Sequence, residues 1–318
     1  MATTGLAQGR LQRSRERLQR FWEKPLKYLP LYLMLLPGII YYLVFRYGPI
    51  YGVVIAFKDF RVLDGIMASP WVGFKHFEAL FSSPYFGRIM KNTLTISLLK
   101  LIVGFPPPII LALMLNEVRI KRLKKLIQTV SYLPHFLSWI VISGILFAFL
   151  APGSGLINHW IKNAGGQVIP FMMDKTWFLL VIVLSSVWKE VGWGAIVYLA
   201  ALSGISPDLY EAATMDGASR VQQMWYISIP GIQPVIILML ILRLGYLLNA
   251  GFEQIYILYN PLVYEVADII DTWVFRNGIE QFRFSLATAT GVFKSVIGMA
   301  LLLASNKLAK QWSDQGIW

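Results

Sequence analysis

Six separated apolar stretches, each close to the length a helix needs to cross a hydrocarbon core, limit this chain more than any other feature. A crossing takes about 20 residues at about 1.5 Å rise each. The stretches fall near 29–45, 92–115, 126–150, 177–202, 229–250 and 285–304. A further apolar run at 47–57 either extends the first or lies at the interface. Inside lipid every backbone N–H and C=O must be paired within the chain, so such stretches fold as helices. Hydrophobic residues form 56% of the 318 and charged residues only 14%, a balance that excludes an ordinary soluble domain. The fold expected is an all-α integral membrane protein with six transmembrane helices.

Lysine and arginine placement sets the orientation. Arg10, Arg13, Arg15, Arg17, Arg20, Lys24 and Lys27 precede the first stretch, and Arg119, Lys121, Arg122, Lys124 and Lys125 separate the second from the third. Cytoplasmic loops carry this excess. The expected division is a basic cytoplasmic arm at 1–27, a six-span membrane domain at 28–304 and a cytoplasmic tail at 305–318. The connection between the fourth and fifth spans is then cytoplasmic as well, and those at 58–91, 151–176 and 251–284 face outward. Leu11, Leu18, Phe21 and Trp22 give the arm an apolar side. It either lies on an anionic inner leaflet or is a solvated arm whose role is topological. No convincing small-residue cleavage site marks a secretory signal. The net charge of +12 follows membrane topology instead of one folded face, so the bilayer, and no nucleic acid, is the expected partner.

Several chemistries are ruled out at this level. Cysteine is absent, and His76, His135 and His159 lie far apart with no companion ligands at metal spacing, so no metal site is expected. His135, beside Pro134, reads as a packing or helix-break feature. No convergent carboxylate pair or nucleophile and base marks a catalytic centre, which leaves an intramembrane transferase or hydrolase without machinery. No Walker sequence occurs either. If ATP drives this protein, ATP and magnesium are bound by another chain.

Ionisable residues within the stretches are costly unless they face protein or water, about 2.5–3.5 kcal/mol each on insertion scales. They are Lys100, Lys189, Glu190, Arg243 and Lys294. One reading makes the cations interhelical ties that satisfy backbone carbonyls at kinks, as expected near Pro106, Pro107, Pro108 and Pro234. The other makes the set a water-filled pathway tolerant of anions. Lys189 and Glu190 are adjacent, about 100° apart on a helix, so a direct pair between them is not expected. Trp188, Trp193, Tyr246, Phe252 and Tyr256 offer flat faces for sugar rings, with Asn249, Glu253 and Gln254 as hydrogen-bonding partners.

Between the fourth and fifth stretches the chain turns polar: EAATMDGASRVQQMWYISIP, Glu211 to Pro230. Ser206 suits an N-cap, Pro207 the first helical position, Asp208 and Glu211 the positive dipole end, and Gly217 a left-handed stop. These features predict a short helix too polar for lipid. By caps alone it is an ordinary connector. The full spacing, with Glu211, Ala212, Ala213 and Gly217 followed by Ile227, Ile229 and Pro230, resembles the EAA loop of bacterial ATP-binding-cassette import permeases. RYGPIYGVVIAFKDF from Arg46, NAGFEQIYILYNPLVYEVADIIDTWVFRNG from Asn249 and FSLATATGVFKSVIGMALLLASNKLAKQ from Phe284 resemble sugar permeases of the carbohydrate-uptake class, in the branch linked to polysaccharide and aldouronate oligosaccharides.

The resemblance covers nearly the whole chain and implies a type I importer permease fold with a cytoplasmic coupling helix in a loop at 204–230. Glu211, Ala212, Ala213, Asp216, Gly217, Ile227 and Pro230 are the coupling residues it implies. The implied partners are a homologous second permease, two cytoplasmic ATPases, an extracytoplasmic solute-binding protein and an oligosaccharide. The setting is a bacterial plasma membrane with both termini cytoplasmic. Lys100, Lys189, Trp193, Arg243, Asn249, Glu253 and Lys294 are the expected substrate-pathway residues. Their surplus of cations favours acidic, uronate-containing oligosaccharides, moved by ATP-driven alternating access, over a neutral sugar. A secondary transporter or channel is the rival reading, separated by whether an ATPase co-purifies.

Overall fold

The computed structural model describes residues 28–313. The basic arm at 1–27 and the last residues of the tail lie outside the described residues. The chain divides into two units, one holding residues up to Ile55 with Phe60–Ser69, the other holding Ala56–Asp59 and everything from Pro70 onward.

The first unit is dominated by α1, Leu29–Tyr42, started by Pro30 in its first turn, where a missing N–H costs nothing. A π-helical turn, Leu43–Tyr47, and a 3-10 stretch, Gly48–Phe57, carry it on without interruption. The apolar run at 47–57 therefore extends the first span to Leu29–Phe57. Its side chains from Tyr28 to Ile50 are exposed.

The second unit begins its membrane elements with α2, Phe86–Gly104, and α3, Pro106–Glu117, which together form one span. Pro106 to Pro108 occupy the first turn of α3, so the interruption at Phe105 removes few helical hydrogen bonds. There follow α4, Lys121–Tyr132; α5, Trp139–Leu150; α6, Leu156–Asn163; and α7, Lys175–Ser203. Further along lie α8, Pro207–Met215; α9, Ile229–Gly245; α10, Phe252–Leu258; α11, Ile270–Phe275; and α12, Phe284–Ser313.

Among the described residues five helices are long and apolar enough to cross a membrane, and the count reaches six when the pair Lys121–Phe136 and Trp139–Leu150, bent by 105°, is taken as one span. The third apolar stretch, 126–150, is therefore two helices that meet at a sharp bend, beside the Pro134 and His135 that read as a packing or helix-break feature. Pro134 sits in a 3-10 turn, Leu133–Phe136, and Ser138 caps the next helix by accepting the Val141 N–H at 3.3 Å. The freed carbonyls of His135 and Leu137 accept from Lys189 Nζ at 2.8 and 2.5 Å. A break of this kind is tolerated in an apolar setting because its backbone groups are paired by protein.

Helix α7 is the central post, packing along α2, α3, α4 and α9. One end of it, with Phe178, Val181 and Ile182, meets Ile96, Ala250 and Ile255; the other, with Ala195, Tyr198 and Leu202, meets Ala112, Leu113 and Ile232. Between them Gly192 touches α4 so closely that an added Cβ would stand 2.0 Å from the Ser131 carbonyl oxygen. The long connections are themselves packed. Buried Asn158 donates to the Ile169 carbonyl and accepts its N–H, both at 2.9 Å, closing the segment after α5. Asn92 on α2 donates to the carbonyls of Glu265 and Asp268 at 3.0 Å, and Thr93 Oγ1 accepts from the Ile270 N–H at 2.9 Å. Polar side chains of one span thus fix the segment leading into α11.

Candidate functional site

A cavity of about 440 Å³ opens among α2, α7, α9 and the start of α10, with Lys100, Glu190, Arg243 and Asn249 in its walls. Each polar group is placed by a different element. Lys100 Nζ donates to the Ala250 carbonyl at 2.7 Å and to Gln254 Oε1 at 2.5 Å. Gln254, itself buried, is oriented by donating to the Ile182 carbonyl at 2.8 Å and Ser185 Oγ at 2.9 Å. The ammonium fits because Gly251 has no side chain: a Cβ there would lie 2.8 Å from Nζ. Gly251 also takes φ +93°, a region hostile to other residues.

Glu190 reaches the cavity with one carboxylate oxygen 3.2 Å from His135 Nδ1, and the His135 ring stacks on Trp193 at 4.5 Å, nearly parallel. Arg243 makes no hydrogen bond or ion pair among the described residues, and the buried Ser97 hydroxyl in the same wall has no partner there either. The cavity therefore holds an unengaged guanidinium and an unengaged hydroxyl. A solute carrying carboxylates and hydroxyls satisfies both, since guanidinium and carboxylate can join through two parallel hydrogen bonds.

Asn249 lines this cavity and two adjoining ones. Lys294 Nζ donates to Asn249 Oδ1 at 2.7 Å and forms an ion pair with Asp271 at 2.6 Å, and it lines one of the adjoining cavities.

The seven residues expected along a substrate pathway thus divide. Lys100, Arg243 and Asn249 line one cavity from different elements, and Lys294 joins them through Asn249. Lys189 is buried against the carbonyls of the third-span break, with Trp139 beneath it at 5.6 Å. Trp193 is occupied by His135, while Glu253 is exposed and outside the cavity walls. The surplus of positive charge counted from the sequence is smaller in the fold, because Asp271 neutralises Lys294 and Lys189 is engaged by backbone. Asp271, Ser97, Ser186 and Trp139 were not singled out from the sequence. No local spacing signals them, because they meet their partners across elements.

The polar loop folds much as its residues dictate. Ser206 Oγ accepts the Asp208 N–H at 3.3 Å, and Pro207 opens α8. The helix ends in a Schellman arrangement: Gly217 at φ +80° donates to the Thr214 carbonyl and Ala218 to the Ala213 carbonyl. Glu211, Ala212, Asp216 and Gly217 are exposed, Ala213 is partly covered, and Met215 is 87% exposed. Ile227 lies in a π-helical turn, Met224–Ser228, that runs into α9, where Pro230 is in the first turn. Tyr210 and Ser228 share a hydrogen bond at 2.9 Å, and Arg220 pairs with Glu117 at the end of α3 at 2.9 Å. The loop is thereby joined to two spans while α8 presents an open face.

An all-helical chain with membrane-length helices around a polar, partly unsatisfied cavity is a membrane transport protein. It belongs to the family of binding-protein-dependent transport system inner membrane components, the permeases of ABC importers, whose profile matches residues 104–315. The chain is 47% identical over 304 residues to the polygalacturonan/rhamnogalacturonan transport system permease protein YteP of Bacillus subtilis strain 168, covering 96% of this chain and 95% of that one. It is similar, with a TM-score of 0.85 and 42% identity over 92% of this chain and 99% of the other, to a chain in the crystal structure of a bacterial ABC transporter involved in the import of the acidic polysaccharide alginate. A second structure of an alginate ABC transporter, in complex with an alginate pentasaccharide-bound periplasmic protein, matches with the same score and identity over 94% and 100%. These relatives are transport permeases, and the type I permease fold is shared.

Proposed function

We propose that this chain is the permease subunit through which acidic, uronate-containing oligosaccharides enter the cytoplasm by ATP-driven alternating access. The observation that carries the reading is Arg243, a guanidinium in a cavity wall that makes no hydrogen bond or ion pair among the described residues. Its planar fork receives a sugar carboxylate, with the Lys100 ammonium adding positive field from the rim. Ser97, Asn249 and Glu190 offer groups for ring hydroxyls. The relatives give support: one transports polygalacturonan and rhamnogalacturonan by its name, another imports the acidic polysaccharide alginate. An alginate-like substrate fits both.

In this reading a homologous second permease completes the membrane body, and an extracytoplasmic binding protein delivers the oligosaccharide. Two ATPases, which hold ATP and magnesium, dock on α8 within the loop at 204–230, where Glu211, Ala212, Ala213, Asp216, Gly217, Ile227 and Pro230 carry the coupling. Closure of the ATPase pair moves α8 as a lever, and hydrolysis resets the cavity toward the cytoplasm. The chain sits in the bacterial plasma membrane with arm and tail inside.

The test is Arg243→Met in the assembled importer. Half-maximal stimulation of ATP hydrolysis by acidic oligosaccharide should need about tenfold more ligand, the scale of one lost hydrogen bond to a charged group. Basal hydrolysis should persist. If neutral oligosaccharides of equal length stimulate the unmodified importer as well as uronates do, the acidic assignment fails and an unspecified sugar replaces it.

A further inference from the structure

Away from the cavity, α2 and α7 frame a second groove of about 440 Å³ whose chemistry is of another kind. Leu99, Val103, Leu180 and Leu184 form its walls, and Lys175 and Trp177 stand at one end. The walls are open: Val103, Leu180 and Leu184 are 40%, 44% and 51% exposed. From Lys175 to Leu184 the helical rise is roughly 14 Å, close to half of a hydrocarbon core about 30 Å thick. The groove therefore has about the depth of one leaflet.

Its polar end is positive. Lys175 pairs with Glu265, and Arg88 and Lys91 on α2 act on the same carboxylate. The hydrogen bond from Lys175, with these charges, holds the Glu265 carboxyl below its ordinary range, so it stays ionised. The other nearby acid, Asp174, is engaged in accepting the Thr176 and Trp177 N–H groups at 2.9 and 3.0 Å. Three cations thus face two carboxylates, both already bound. Trp177, with its flat amphipathic ring, suits the level of lipid headgroups.

The geometry points to a binding site for one anionic phospholipid, its acyl chain laid between Leu99, Val103, Leu180 and Leu184 and its phosphate held by Lys175 and Lys91. A purely apolar occupant would leave the excess positive charge of the rim unmatched. A zwitterionic lipid would bring its own cation to a rim already positive. Because Lys175 joins the start of α7 to Glu265 in the segment before α11, a lipid bound there also braces the two.

The experiment uses the assembled importer in nanodiscs of equal phosphatidylglycerol and phosphatidylcholine, followed by mild detergent extraction and counting of retained lipids by mass spectrometry. Phosphatidylglycerol should be retained about fivefold over phosphatidylcholine, the scale expected for one cation near an anionic headgroup. The Lys91→Gln, Lys175→Gln double variant should bring the ratio toward unity. Leu184→Trp, which fills the groove and leaves the rim intact, should lower retention of both. Equal retention of the two lipids by the unmodified protein overturns the proposal. So does efficient cross-linking of Leu184→Cys to another subunit in the membrane, which would show the groove to be covered by protein.

Discussion

Gly251 shows how much a single position can decide in this molecule. Its φ of +93° and the 2.8 Å gap to Lys100 Nζ leave no room for a methyl group. Gly251→Ala should therefore cost about 1–2 kcal/mol through backbone strain alone, and more as the ammonium is displaced. The check is the thermal unfolding midpoint of the purified complex, with Gly153→Ala, where nothing lies within 4 Å, as the control that should leave it nearly unchanged. If both variants unfold alike, the Lys100 contact contributes nothing. The lysines also mark the limit of what the sequence discloses at this scale. Lys100, Lys189 and Lys294 have the same signature, a cation within an apolar run, yet one borders the cavity, one closes a helix break and one is neutralised by Asp271. Their fates depend on partners from 23 to 154 residues away, which no local pattern encodes.

Helix α8 is the converse case, because its determinants are local. Ser206, Pro207 and Gly217 each act within one turn of the helix end they define, so start and stop are readable from the sequence. Gly217→Val places a β-branched side chain at φ +80°, a strain of at least about 1–2 kcal/mol concentrated at the end of α8. The variant should insert and assemble normally while substrate-stimulated ATP hydrolysis falls severalfold. Wild-type stimulation and transport in that variant would remove α8 from the coupling mechanism. The third span was legible only in part. Pro134 advertises a weakness, but helices often absorb a proline, as α9 does at Pro234. The break becomes a 105° bend because Lys189 and Ser138 pair what the turn exposes.

Over the whole molecule, span number was legible to within one, five or six among the described residues, because bilayer thickness fixes the length of an apolar stretch, whereas which faces meet around the cavity was not. Orientation rests on the bias of lysine and arginine, and it is testable directly. A reporter inserted in the loop at 204–230 should give a cytoplasmic signal and one near Asp268 an external signal. The opposite pattern would invert the importer reading together with the span count. One further property follows from Gly192 and Ser131. Main chain meets main chain there, with 2.0 Å between the oxygen and any added carbon, so the two rods cannot be pressed closer. Under the proposed alternating access, a contact that admits no compression would be a fulcrum, about which one side of the bundle opens while the other closes without disturbing the Lys189 clasp one helical turn away.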